Sequence, residues 1–182
     1  PYVIKEINGA RIAVIGQAFP RTANANPREF FPDWSFGIRE EDLTTLVQDI
    51  KRQYAPAGIF LLSHNGMDVD LKLASRVSDI DAILGGHTHD GIPLPVEVES
   101  PNGKTCLVTN AGSNGKFIGV MDLDIKNNRV NGIRYQMAPV FDRLIAPDPT
   151  VEKFIKRLNN RVYDHNIIES RSPTYSCNQD RV

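Results

Sequence analysis

Two short, wholly apolar runs, each breaking off into a histidine-bearing glycine turn, constrain this chain more than any other feature. Ile59-Phe60-Leu61-Leu62 ends in Ser63-His64-Asn65-Gly66, and Ile80-Asp81-Ala82-Ile83-Leu84 ends in Gly85-Gly86-His87-Thr88-His89-Asp90-Gly91. Runs of this length without alternation read as strands covered on both faces. Between them, residues 69–77 place Leu71, Ala74 and Val77 on one helical face. Strand, helix, strand in that order predicts a parallel pair joined by a right-handed crossover. Both histidine turns then open on one carboxyl edge of the sheet, where open α/β sheets bind ligands.

The flanking sequence extends this α/β pattern. Residues 2–7 and 11–15 are rich in β-formers and enclose Asn8-Gly9, a strong hairpin signal because both residues tolerate positive φ. Residues 17–37 interleave Phe19-Pro20, Asn26-Pro27 and Phe31-Pro32 with Arg21, Asn24 and Arg28, predicting a long loop anchored by Phe and Trp34. A helix is predicted over 40–54 from Leu43, Leu46, Val47 and Ile50, with acidic residues first, basic residues last, and Pro56 and Gly58 as the stop. Segments near 95–99, 105–109, 117–125 and 129–136 read as strands, with turns at Asn102-Gly103 and Asn127-Asn128. A further helix is expected at 150–163, beyond Pro147 and Pro149; Ser170 to Val182 show no period and read as a truncated or disordered end.

Composition narrows the function classes. The 182 residues carry 21 Lys+Arg against 22 Asp+Glu, a net charge of −1, which excludes a broadly cationic nucleic-acid binder and argues against a surface-charge membrane binder. No apolar run approaches the ~18 residues of a membrane span. The two cysteines, Cys106 and Cys177, allow one disulfide but neither a disulfide framework nor a four-thiolate zinc site. Residue 1 is Pro inside what reads as a strand already under way, so the chain is expected to begin downstream of the gene's start.

Three of the four histidines, His64, His87 and His89, stand at the two strand ends. Imidazole suits zinc, manganese or iron, and a two-metal hydrolase needs carboxylates besides, one of them bridging. Asp68, Asp70 and Asp90 are near in sequence, but Asp68 and Asp70 read as caps of the second helix. His165, in a polar segment past the last helix, reads as a solvated side chain. No G-x-S-x-G elbow occurs, and Gly112-Ser113-Asn114-Gly115 lacks the Lys-Ser/Thr ending of a phosphate loop, reading as a turn into the strand at Phe117.

The segments Leu61 to Gly66 and Asp81 to His89 resemble the calcineurin-like metallophosphoesterases of the 5'-nucleotidase type. Within them the chain looks most like the SoxB thiosulfohydrolases of bacterial sulfur oxidation, on Phe19 to Pro27 (FPRTANANP), Asp33 to Gly37 (DWSFG), Ser63 to Asp70 (SHNGMDVD), Gly86 to Gly91 (GHTHDG) and Asn110 to Phe117 (NAGSNGKF). The resemblance covers roughly residues 1–165. It implies an α/β metallophosphoesterase-type sandwich of two mixed β-sheets flanked by helices, of which this chain matches the C-terminal half. Residues 1–146 would be the second half of the catalytic domain, and 147–182 a linker helix and the start of a C-terminal domain.

It also implies two Mn²⁺ (Zn²⁺ or Fe as alternatives), with His64 and His87 on one ion and His89 on the other. The family's D-x-H, G-D and G-N-H-[ED] motifs do not occur here, so the catalytic His is expected upstream of Pro1 and the chain alone is expected to be inactive and to fold poorly. Asn65, Arg21 and Asn24 are expected to orient substrate. The resemblance further implies periplasmic localisation and the sulfur-carrier complex SoxYZ as partner, its cysteine S-thiosulfonate losing sulfate. The alternatives are a 5'-nucleotidase-type phosphoesterase and a non-catalytic metal-binding module.

Overall fold

The computed structural model describes residues 1–141 and 143–164. The readings for His165, Cys177 and Ser170 to Val182 lie outside the described residues. Two units are distinguished, Pro1–Val140 and one starting at Phe141.

In the first unit, strands β1 (Tyr2–Ile7), β2 (Ala10–Gln17), β3 (Gly58–Ser63), β4 (Ala82–Gly85), β5 (Val96–Glu99) and β6 (Thr105–Asn110) form one mixed sheet in the order β1-β2-β3-β4-β6-β5. The centre, β2-β3-β4-β6, is parallel, and β1 and β5 are antiparallel edges. Asn8 and Gly9 both take positive φ (51° and 79°), and the hairpin between β1 and β2 closes as expected. Helix α1 (Thr22–Ala25) and a 3₁₀ turn at Arg28–Phe30 interrupt the long loop. Helix α2 (Glu40–Tyr54) has the predicted bounds, but Ala55, left-handed at φ 43°, ends it ahead of Pro56.

Helix α3 runs Met67–Ala74, not 69–77. It starts as soon as Gly66, at φ 101°, has turned the chain, and no side chain caps it. The expectation that Asp68 and Asp70 cap this helix is therefore corrected: Asp70 is fully buried in the interior.

Strand alternation sends successive residues to opposite faces. Ala13 and Ile15 of β2, Ile59 and Leu61 of β3, Ile83 of β4 and Cys106 and Val108 of β6 pack with Leu43, Val47 and Ile50 of α2 and Leu73, Ala74 and Val77 around α3. Ile12, Phe60 and Ala82 form the opposite face. It is covered by β7 (Phe117–Lys126) and β8 (Arg129–Pro139), a two-stranded antiparallel sheet turned by Asn127 and Asn128 at φ 50° and 54°. Met121, Leu123, Ile125, Val130 and Ile133 supply the contact.

The molecule is thus mixed α/β, as the sequence predicts, with helices over one face of the main sheet. That sheet is mixed; the second, among the described residues, is antiparallel alone, since a hairpin with a two-residue turn pairs only antiparallel strands. Leu62 is 48% exposed, so the run Ile59 to Leu62 is not covered throughout.

In the second unit, α4 (Pro149–Asp164) begins with Pro149 at its first position, and Asp148 Oδ1 accepts hydrogen bonds from the Thr150 and Val151 amides at 2.8 and 3.0 Å. Val151, Phe154, Ile155 and Leu158 recur at helical spacing and are each partly exposed.

Candidate functional site

Because β2, β3, β4 and β6 are parallel, Gln17, Ser63, Gly85 and Asn110 end on the same edge. The chain continues past β3 into His64 and past β4 into His87, as the sequence predicts. The two imidazole rings lie with centroids 5.3 Å apart, inclined at 66°. Gly86 permits this approach: a Cβ there would stand 3.3 Å from His64 Nδ1 and 3.4 Å from the Ser63 carbonyl. His87 and His89 both take left-handed backbone, at φ 75° and 60°. Non-glycine residues held in that region cost energy and concentrate at functional sites.

Phe19, which the sequence placed only as a loop anchor, stacks on His87 with centroids 4.0 Å apart and an interplanar angle of 25°. It also meets His64 edge-on at 6.3 Å. Arg21 and Asn24 follow on the same loop, both exposed, with the Asn24 amide donating to the Arg21 carbonyl at 2.9 Å.

Beneath the histidines lies a buried polar network. Ser63 Oγ donates to Asp70 Oδ1 at 2.5 Å, and the Asn65 backbone amide donates to Ser63 Oγ at 3.1 Å. Asn65 Nδ2 donates to Gln17 Oε1 at 2.9 Å and reaches Asp70 Oδ1 at 3.3 Å. Asn65 is 4% exposed, so its amide nitrogen serves the interior. Burial raises the Asp70 carboxyl above the ordinary range, against the lowering pull of the Ser63 and Asn65 hydrogen bonds. Asp70 Oδ2, Asn65 Oδ1 and both side-chain polar atoms of Asn110 are buried without a hydrogen-bond partner among the described residues. Thr88 Oγ1 accepts from the Met67 amide and donates to Asp90, tying the second turn to the start of α3.

Among the described residues, no three His, Cys, Asp or Glu side chains converge as a group able to hold a metal ion. His64 and His87 are two imidazole donors at a separation one ion can bridge, and their chemistry suits manganese, zinc or iron. The fit is partial. Among the described residues neither a third donor nor a bridging carboxylate stands with them, and Asp70, the carboxylate of the network, is turned inward. At the opposite end of the sheet, a cleft of about 620 Å³ is lined by Lys51, Asp79, Asp81, Lys104 and Arg129. Its charges are largely spent internally: Asp79 bonds both Lys51 and Lys104, and Asp81 accepts from the Ile59 amide. Cys106 is fully buried, and burial pushes its thiol up to about 12.

No protein-family profile matches the chain. Curated relatives include an apyrase of Tabanus yao, 29% identical over 86% of this chain and 30% of its own length, and a 5'-nucleotidase of Vibrio parahaemolyticus, 27% identical over 77% and 29%. The chain thus spans about 30% of the length of these relatives. Among solved structures, the sulfate thiohydrolase SoxB of Thermus thermophilus, in complex with glycerol, superposes with a TM-score of 0.81 at 31% identity. That match covers 90% of this chain and 29% of SoxB. A 5'-nucleotidase precursor, also from Thermus thermophilus, superposes at 0.76 with 23% identity, covering 90% and 34%.

Proposed function

We propose, starting from a chain whose homologues and structural neighbours are 5'-nucleotidase-family hydrolases, that the protein carrying it is a metal-dependent thiosulfohydrolase. It releases sulfate from a cysteine S-thiosulfonate on the sulfur-carrier complex SoxYZ, in the periplasm. The observation that carries the hydrolase part is the pairing of His64 and His87 at adjacent parallel strand ends, rings 5.3 Å apart. The sulfur substrate is favoured by the likeness to SoxB, at 31% identity against 23% for the nucleotidase structure. The nucleotidase reading stands second, supported by the apyrase and 5'-nucleotidase names among the relatives.

In this proposal His64 and His87 would hold one Mn²⁺ and His89 a second, the remaining donors coming from outside the described residues. Such ions would supply a nucleophile at neutral pH and positive charge for the developing oxyanion. The chain's own groups orient. Phe19 walls the imidazoles on one side and limits rotation of the His87 ring. Arg21 and Asn24, exposed on the loop that follows Phe19, would meet the anionic substrate. Asn65 holds the His64 turn against Gln17.

The deciding experiment offers the full-length Mn²⁺-loaded protein a carrier-peptide cysteine S-thiosulfonate and AMP in parallel. Sulfate release with little phosphate supports the thiosulfohydrolase. Phosphate alone moves the protein to the nucleotidases. Neither product, with metal bound, points to a binding module.

A further inference from the structure

We infer that Asp70 is a positioning residue: one buried carboxylate, seated under the ends of β3 and β4, fixes both histidine turns. Among the described residues its hydrogen bonds go to Ser63 and Asn65, not to either imidazole. It acts through the residues on either side of them.

On the β3 side the linkage is by hydrogen bonds. Ser63 and Asn65 flank His64 in sequence, and both donate to the same oxygen, Asp70 Oδ1, at 2.5 and 3.3 Å. The Asn65 backbone amide also donates to Ser63 Oγ, so the chain is held just before and just after His64 by one network. Gln17 at the end of β2 joins it through Asn65. On the β4 side the linkage is by packing. Asp70 Oδ2 lies so close to Gly85 that an added Cβ would stand 2.7 Å from it. Gly85 leads directly into Gly86 and His87, so Asp70 packs against the strand end that carries the second histidine turn.

The arrangement is costly for a helix residue with no direct surface role. Asp70 is fully buried, and Oδ2 has no partner. A buried polar atom left unpartnered loses its hydration without compensation. An apolar side chain at the same site would avoid that cost but would leave the Ser63 hydroxyl without its acceptor and Asn65 Nδ2 with Gln17 alone. Groups that orient metal ligands from behind typically carry a 10–100-fold effect on metal affinity. The link to metal rests on the proposed function; the link to the imidazoles does not.

The test uses the full-length protein with ¹³C-labelled histidine, first metal-free and then titrated with Mn²⁺, in wild type, Asp70→Ala, Asp70→Asn and Ser63→Ala. Asn at position 70 keeps an acceptor oxygen for Ser63 and Asn65. Asp70→Ala is expected to shift or broaden the ring signals of His64 and His87 and to weaken Mn²⁺ binding at least tenfold. Asp70→Asn is expected to stay within about threefold of wild type in binding, with near-native ring signals. A lowered melting temperature in Asp70→Ala with unchanged His64 and His87 signals would overturn the inference, leaving Asp70 a stabiliser only.

If Asp70→Ala does not fold, Ser63→Ala decides. It removes one donor and leaves the carboxylate, and unshifted His64 signals there would also refute the role. If wild type binds no Mn²⁺, the metal reading fails, while the ring signals still decide for or against Asp70.

Discussion

Gly85 is where the packing of the histidine edge can be measured in one substitution. Its backbone is not left-handed, so Gly85→Ala adds steric contact without dihedral strain. The new Cβ would stand 2.7 Å from Asp70 Oδ2 and 3.1 Å from the Thr109 carbonyl oxygen. The first distance is about 0.7 Å inside ordinary contact at 3.4 Å. Neither neighbour yields cheaply. The Thr109 carbonyl belongs to the β6 backbone, and moving Asp70 strains its bonds from Ser63 and Asn65. Overpacking costs about 1–3 kcal/mol, and each hydrogen bond weakened adds about 1 kcal/mol, so a loss of about 2–4 kcal/mol is expected.

Urea unfolding with an unchanged m-value reads this directly. Gly16→Ala is the internal control: no heavy atom lies within 4 Å of its added Cβ, and it should fall between neutral and about 1 kcal/mol stabilising. Combining Gly85→Ala with Asp70→Ser, which shortens the obstructing side chain, should cost less than the two changes summed. If Gly85→Ala proves no more costly than Gly16→Ala, the β4 end is not seated on Asp70 and the argument fails.

Three further outcomes are expected. Ala55→Gly, relieving a non-glycine residue at φ 43° in the exit from α2, should raise stability by about 1 kcal/mol, read as a higher urea midpoint. Asp79 is raised by burial but lowered more strongly by the hydrogen bonds and charges of Lys51 and Lys104, so its folded pKa lies below 3.8. Its contribution is therefore present above pH 3.8 and lost as pH falls through the folded value; Asp79→Asn should flatten that acid limb in stability-against-pH curves. Phe19→Ala removes the stack on His87 and should make that ring react faster with diethyl pyrocarbonate while His89 is unaffected, a stacked pair being worth about 0.5–1.5 kcal/mol.

Local chemistry made much of this fold legible. Asn8-Gly9 and Asn127-Asn128 announce their hairpins because few residue pairs take positive φ together, and α2 declares itself by period and charge order. The shared edge of His64 and His87 followed from strand–helix–strand order alone. What escaped was tertiary. Asp70 reads as an N-terminal helix carboxylate, and only the closeness of Ser63 and Gly85 turns it inward. Phe19 carries no sequence mark of its position over His87, far along the chain. Leu62 sits in an apolar run like its neighbours, yet it is left half exposed, and nothing in the run itself marks it out.

The left-handed backbone at His87 and His89 bears on how such a site changes over generations. Histidine, asparagine and aspartate are the non-glycine residues that best tolerate this conformation. The turn is therefore indifferent to an exchange among them, while the group it presents changes from imidazole to amide to carboxylate. A single-base substitution can swap His for Asn or Asp in the genetic code, so donor hardness at this edge can drift without the loop having to be rebuilt. Valine or isoleucine at either position would meet resistance from the backbone before chemistry entered the matter. The turn thus separates the inheritance of shape from the inheritance of ligand preference.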